Sequence, residues 1–259
     1  MTRLLIKLAD SQVWISLIAT VFYGWACFDA GSNPEWAYTW MLFWGTLGLY
    51  TLHDGFLISQ KRIWVILSFV LLIIPGFWWW KVTLVKMMIM GVAGLIGILY
   101  VVPLTSEQKT LRNFGWAKAM WIALSWTLAT AGMAISSIDH VDWKLLVSRF
   151  CWVFGLTLLF DYRDRAIDAQ HGIKTWGNQM NLAQLKKITA GLYILAILLE
   201  LSRSSPPSLN SWPVILGLII AQGLIWIKLK PNVSFYFYTV LLDSTLIWPA
   251  LLSFLWALV

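Results

Sequence analysis

Long runs of apolar residues, separated by short polar breaks, recur along nearly the whole chain. A run of about 17 to 25 apolar residues is long enough for an α-helix to cross a hydrocarbon core roughly 30 Å thick. The pattern predicts nine membrane-spanning helices, over Ser11 to Phe28, Trp36 to Leu52, Ile63 to Trp80, Met87 to Leu104, Ala117 to Ser136, Leu145 to Phe160, Leu185 to Leu201, Trp212 to Leu229 and Phe235 to Leu258. We therefore expect an all-α polytopic membrane protein with a single transmembrane domain over residues 1–259.

The positions of the basic residues indicate how this arrangement is oriented. If the N-terminus is cytoplasmic, 14 of the 19 Lys and Arg residues lie in cytoplasmic segments and five lie on the other side. An excess of Lys and Arg on the cytoplasmic side is typical of membrane proteins. We therefore expect a cytoplasmic N-terminus and place two loops, about 50–62 and 161–184, on the cytoplasmic side.

Composition supports a membrane protein and argues against a nucleic-acid-binding one. Hydrophobic residues make up 59% of the chain and charged residues 12%, whereas a soluble domain has about 25% charged residues. The formal net charge is +7, but the basic residues occur singly or in pairs between apolar runs. Anionic lipid headgroups are the partners that such a distribution favours.

The end of the sixth predicted span carries three carboxylates, Asp161, Asp164 and Asp168. Their i, i+3, i+7 spacing places them on one face of a helix, within an arc of roughly 60°. Like charges so close repel one another, so we expect a positive partner. Because Arg163 and Arg165 point around the helix from this face, a divalent cation is the expected partner. Mg²⁺ suits carboxylates and phosphate oxygens; the alternative is a solvated charged loop.

The segment Asp161-Tyr-Arg-Asp-Arg-Ala-Ile-Asp-Ala-Gln-His-Gly-Ile-Lys-Thr175 resembles the second aspartate-rich motif of the UbiA-type intramembrane prenyltransferases. That motif is a DxxDxxxD sequence followed by a glycine and a basic residue. The family has nine helices around a central cavity, with motifs after the second and sixth helices. The resemblance implies that Asp161, Asp164 and Asp168 bind Mg²⁺ and that Lys174 holds diphosphate oxygens. It implies an enzyme that transfers an isoprenyl group from a prenyl diphosphate to an aromatic or other lipophilic acceptor.

The first motif of the family, approximately NDxxDxxxD, is degenerate in this chain. The corresponding stretch is Tyr50-Thr-Leu-His-Asp-Gly-Phe-Leu-Ile-Ser-Gln-Lys-Arg62, in which Asp54 is the one carboxylate. Either His53 and Asp54 stand for the opening Asn-Asp, or Asp54 stands for the middle aspartate. We expect Asp54 to be a catalytic metal ligand, with Lys61 and Arg62 partly replacing a metal at the diphosphate. The alternative is a catalytically altered or inactive UbiA-like protein that binds a lipid, a prenyl diphosphate or a membrane partner.

Polar residues elsewhere add weaker candidates. Tyr100, Lys109 and Arg112 lie near the loop after the fourth span, where the family has a tyrosine and basic residues that reach the diphosphate. Asp243 lies within a span, where an acid is costly unless it faces the bundle interior or a wet cavity. We take it, with His53, as a candidate cavity residue.

Two expectations concern the surroundings of the chain. Glu200 lies near the outer end of its predicted span, so we expect it at the level of the lipid headgroups. Compactness and the family resemblance together favour a bacterial-type inner (plasma) membrane.

Overall fold

The computed structural model of the chain describes residues 12–53, 62–102, 110–135, 141–203, 211–230, 233 and 237–257. The regular secondary structure in these ranges is helical, which confirms the predicted all-α class. The α-helices are α1 Gln12–Asp29, α2 Trp36–His53, α3 Arg62–Ile73, α4 Leu84–Val101, α5 Lys118–Thr127, α6 Trp143–Gln170, α7 Trp176–Gln179, α8 Leu182–Leu201, α9 Ser211–Lys228 and α10 Trp248–Ala257. Helix α3 continues as a 3-10 helix over Ile74–Lys81, and π-helical turns cover Leu128–Gly132 and Phe237–Leu242.

Four helical stretches within the described ranges are long and apolar enough to cross a membrane: α3 with its 3-10 extension, α4, α6 and α8. Helices α3 and α4 expose most of their apolar residues, including Ile63, Ile73, Leu84 and Met88. Such surfaces are stable in contact with lipid chains rather than water. The protein is therefore an integral membrane protein, while the number of nine spans stays a prediction.

The chain divides into two compact units, Met1–Arg112 with Leu128–His140, and Asn113–Thr127 with Val141–Val259. In the first unit α2 packs against α1, α3 and α4. The rings of Tyr23 and Tyr38 meet edge to face, with centroids 4.8 Å apart. The Tyr38 hydroxyl donates a hydrogen bond to the Ala129 carbonyl oxygen at 2.7 Å. This bond gives the buried Tyr38 hydroxyl a hydrogen-bond acceptor and joins α2 to the π-helical turn that contains Ala129.

Helix α6 is the central element of the second unit, where it packs against α5, α7 and α8. Its N-cap residue is Asp142, whose carboxylate accepts the Leu145 N–H at 3.0 Å and so caps the helix. Gly155 lets α8 come close, since a Cβ there would lie 2.6 Å from Tyr193 Cε1. The helix has 28 residues, a length of about 42 Å at 1.5 Å per residue. That length exceeds a hydrocarbon core of roughly 30 Å, and the last turns of the helix carry the aspartate-rich segment.

Glu200 is fully buried in the second unit, while its expected depth at the level of the lipid headgroups stays a prediction. Its carboxylate pairs with Arg149 Nη1 at 2.6 Å and with Arg203 Nη1 at 3.0 Å. Arg203 also pairs with Asp142 at 2.8 Å. The sequence gives the position of Glu200 along α8 but not which neighbouring helices its side chain faces. The buried acid is stabilised because two guanidinium groups lie against it.

Candidate functional site

The three aspartates of the motif lie on one continuous helix, the C-terminal part of α6. The helix ends at Gln170, and Gly172 then adopts a left-handed backbone with a φ of 70°. The Ile173 N–H returns to the Asp168 carbonyl oxygen at 2.8 Å, which closes the helix end. Asp161 and Asp168 are almost completely buried, whereas the side chain of Asp164 is 26% exposed. The sequence motif is thus divided into two interior carboxylates and one at the surface.

Lys118, the first residue of α5, is the cation that contacts both interior carboxylates. Its Nζ lies 2.6 Å from Asp168 Oδ2 and 3.2 Å from Asp161 Oδ1. All three side chains are at most 5% exposed. The positive partner that the repulsion between the carboxylates required is therefore present as an ammonium group.

Asp164 has a different cation, contrary to the expectation that Arg163 points away from the carboxylate face. Arg163 Nε lies 2.7 Å from Asp164 Oδ1, and its Nη2 lies 3.0 Å from Oδ2. The guanidinium therefore donates two parallel hydrogen bonds to the carboxylate. Adjacent residues on a helix diverge by about 100°, but the long arginine side chain folds back along the surface and spans that angle. Arg165 donates instead to the Tyr162 carbonyl oxygen at 2.7 Å and lies over the Tyr162 ring.

The arrangement of these side chains does not fit a divalent ion. The described ranges contain no group of three or more His, Cys, Asp and Glu side chains that could hold a metal. Each of the three motif carboxylates already contacts a cationic side chain. Asp161 Oδ2 is buried without a hydrogen-bond partner, but an ion bound there would share its carboxylate with the Lys118 ammonium. Two cations on one buried carboxylate repel strongly.

The segment after α6 returns to the helix through close backbone contacts. A Cβ on Gly177 would lie well inside 3.0 Å of the Asp161 carbonyl group, and one on Gly115 would do so at the Lys174 carbonyl group. Asn178 accepts the Thr175 N–H at 3.0 Å and donates to the Ile173 carbonyl oxygen at 2.6 Å. Glycines at both contacts let the loop lie directly on the motif. The loop therefore holds Asp161 and Lys174 in a fixed backbone frame.

Of the residues predicted to bind diphosphate, Lys174 lies exposed in this loop. Three candidates belong to the first unit: Arg62 at the start of α3, Tyr100 near the end of α4, and Arg112 in a 3-10 turn. His53, a predicted cavity residue, ends α2 in that unit. Asp54, Lys61 and Lys109 lie outside the described residues. The roles predicted for all of these residues stay predictions.

Asp243, the other predicted cavity residue, is half-buried just after the π-helical turn of the second unit. Asp243 and Arg163 interact electrostatically. The rings of Phe160 and Tyr238 lie beside them, with centroids 6.0 Å apart and Arg163 Cζ 4.8 Å from the Phe160 centroid. Arg163 therefore lies among two acids and two aromatic rings at the end of α6.

Lys118 is the residue that sequence reasoning missed. It counted only as one of the basic residues that set the orientation, because it lies 43 positions before Asp161 along the chain. The signal that could have found it is the first-turn position of a lysine on the helix preceding the motif helix. That signal is weak, since basic residues commonly flank membrane spans.

Comparison with known proteins relates this fold to solved structures. No protein-family model matches the chain, and no curated protein matches it. A structure of a UbiA homologue from Archaeoglobus fulgidus bound to Cd²⁺ superposes with a TM-score of 0.65 at 14% identity, covering 95% of this chain and 97% of that chain. The apo structure of a UbiA homologue from Aeropyrum pernix K1 gives a TM-score of 0.62 at 11% identity, covering 93% and 98%. The chain therefore has the UbiA-type fold.

Proposed function

We propose that the protein is a membrane prenyltransferase that transfers an isoprenyl group from a prenyl diphosphate to an aromatic or other lipophilic acceptor. The observation that carries the proposal is the position of the aspartate-rich segment. It occupies the polar end of α6, the most buried of the four apolar helices, in a chain that shares its fold with a UbiA homologue over 95% of its length. A bacterial-type inner membrane is the compartment that we propose.

The polar end of α6 offers cationic groups for a diphosphate. Lys174 is exposed and Arg165 is half-buried, and both follow the apolar part of α6 within a few turns. A diphosphate bound by these side chains would remain at the membrane face, while an isoprenyl tail would remain among apolar side chains. The other diphosphate ligands that we propose are Lys61, Arg62, Tyr100, Lys109 and Arg112.

In the proposed transfer the C–O bond between the isoprenyl group and the diphosphate breaks, and its electron pair leaves with the diphosphate. Lys174 and Arg165 stabilise the negative charge of that leaving group. The acceptor captures the allylic cation and then loses a proton. The Phe160 and Tyr238 rings offer faces that stabilise a cation, and surrounding apolar side chains keep water away from it. No step is assigned to a metal at Asp161, Asp164 and Asp168, although the family resemblance implies Mg²⁺.

A second candidate function is binding of a prenyl diphosphate or another lipid without turnover. It is favoured by the paired state of the three motif carboxylates and by the single carboxylate, Asp54, in the first motif. A protein of this kind would keep the fold and the cationic groups. It would lack the means to ionise the substrate.

The test is pyrophosphate release by the protein in lipid nanodiscs with geranyl, farnesyl and geranylgeranyl diphosphates. Reactions are run with and without aromatic acceptors, and in Mg²⁺ or EDTA. Lys174→Ala is expected to reduce release at least tenfold, whereas Lys187→Ala, which removes an exposed lysine from α8, is expected to have little effect. Binding of a prenyl diphosphate without release under any condition supports the second candidate. If the protein neither binds nor cleaves any of these prenyl diphosphates, both candidate functions are refuted.

A further inference from the structure

The ion triad at the end of α6 has the geometry of a filled cation site. The Lys118 ammonium lies between two carboxylates of the same helix face, 2.6 Å from Asp168 Oδ2 and 3.2 Å from Asp161 Oδ1. All three groups are removed from solvent. A buried carboxylate pair without a cation would carry two uncompensated charges, which is strongly unfavourable. Lys118 supplies the charge that makes burial of this pair tolerable.

Contacts next to Lys118 hold its backbone against α6. The Thr157 hydroxyl donates to the Ala119 carbonyl oxygen at 3.1 Å, which joins α5 to α6 one residue from Lys118. Ala119 packs into a buried cluster with Leu158 and Tyr162. These contacts place the start of α5 beside the aspartates on α6, within reach of the Lys118 side chain.

The remaining carboxylate of the motif is also neutralised by the chain. Asp164 is held by the two hydrogen bonds from Arg163. A divalent ion would therefore have to displace two side-chain cations, one of them buried. Since Lys118 is covalently attached and already desolvated, it competes at a high effective concentration.

We infer that Lys118 takes the place of a divalent cation at Asp161 and Asp168, so that this half of the site is independent of metal. The inference deepens the proposed function, on which its catalytic meaning rests, but the identity of the cation can be measured without substrate. The inference predicts that side chains, rather than a metal ion bound to this motif, neutralise the negative charge of a bound diphosphate.

The experiment titrates Mn²⁺, a paramagnetic divalent probe, into the full-length protein in nanodiscs and measures bound Mn²⁺ by electron paramagnetic resonance. The reference is the triple variant K118M/D161N/D168N, which removes the three charges of Lys118, Asp161 and Asp168 together. Wild type is expected to bind no more Mn²⁺ than the reference. K118M, which removes the ammonium from between the two carboxylates, is expected to bind Mn²⁺ at least tenfold more tightly than the reference and to gain thermal stability when Mn²⁺ is added.

The conservative variant K118R is expected to behave as wild type, because it retains a cation between the carboxylates. A Mn²⁺ site in wild type that is missing from the reference overturns the inference, whether or not K118M folds. Absence of pyrophosphate release together with the expected Mn²⁺ results refutes the proposed transferase activity alone. The two ideas therefore fail separately.

Discussion

Substitution of Gly177 by alanine tests whether the close backbone contact beneath the aspartate-rich segment holds the site together. The new Cβ would overlap the Asp161 carbonyl group and lie 2.5 Å from the Tyr162 nitrogen. Because Cβ contacts shorter than 3.0 Å are essentially never seen and the Asp161 carbonyl oxygen would lie 2.1 Å away, α7 must move away from α6 by about 0.9 Å, the difference between 3.0 and 2.1 Å. The atoms in the way are backbone, which cannot rotate aside. Overpacking of this kind costs about 1 to 3 kcal/mol, and we expect the upper end.

The assay is thermal unfolding in detergent, followed by the fluorescence of the 19 tryptophans. A cost of about 3 kcal/mol corresponds to a lowering of the Tm by roughly 6 to 12 °C for a chain of this size. The matched control is Gly191→Ala in α8, where a Cβ meets nothing within 4 Å. That change removes a helix glycine and is expected to leave the Tm unchanged or slightly higher. If Gly177→Ala unfolds at the same temperature as Gly191→Ala, the argument from close contact is wrong.

Three further predictions concern the second unit. Arg149→Met leaves Glu200 buried with one guanidinium partner and should lower the free energy of unfolding by about 3 to 5 kcal/mol. Adding Glu200→Leu should restore much of the Tm. A double variant with a Tm no higher than that of Arg149→Met would contradict this prediction. Burial tends to raise the pKa of Asp142, but hydrogen bonds from the Leu145 N–H and Arg203 outweigh it and lower the pKa. The ionised Asp142 carboxylate therefore stabilises the fold above the unfolded pKa of about 3.9, and this stabilisation is lost as pH falls through the lowered pKa. Asp142→Asn should therefore flatten the fall in Tm below about pH 4. An unchanged dependence of Tm on acid pH would contradict this prediction. Gly172→Ala places a Cβ at a φ of 70° and should cost about 1 kcal/mol, whereas Gly172→Asn should cost less; equal Tm values for these two would argue against backbone strain.

The three motif aspartates have different cationic partners and different burial, which changes how the motif is interpreted. On the sequence they are equivalent members of one pattern, and a metal is the simplest partner for all of them. In the fold Asp161 and Asp168 share the buried Lys118, while Asp164 is held at the surface by Arg163. A shared helix face does not give equal surroundings, because each neighbouring helix covers only part of the circumference.

The sequence by itself determined the features that depend on local physics. Runs of apolar residues fixed the helices and their membrane environment, because buried peptide groups in lipid must form hydrogen bonds within their own segment. The i, i+3, i+7 spacing of Asp161, Asp164 and Asp168 fixed a shared helix face, because helix geometry is the same in any context. The requirement for a positive partner followed from charge repulsion alone.

Tertiary structure alone decided which cation meets the carboxylates and which acids are buried. Lys118 reaches Asp161 and Asp168 across 43 and 50 positions of sequence, and Arg149 reaches Glu200 across 51. Pairings at such distances depend on how helices rotate and pack against one another, and many basic residues at span ends are equally suitable partners on composition. The sequence predicted that the aspartates need a positive charge, and the packing of α5 against α6 selected a lysine to supply it.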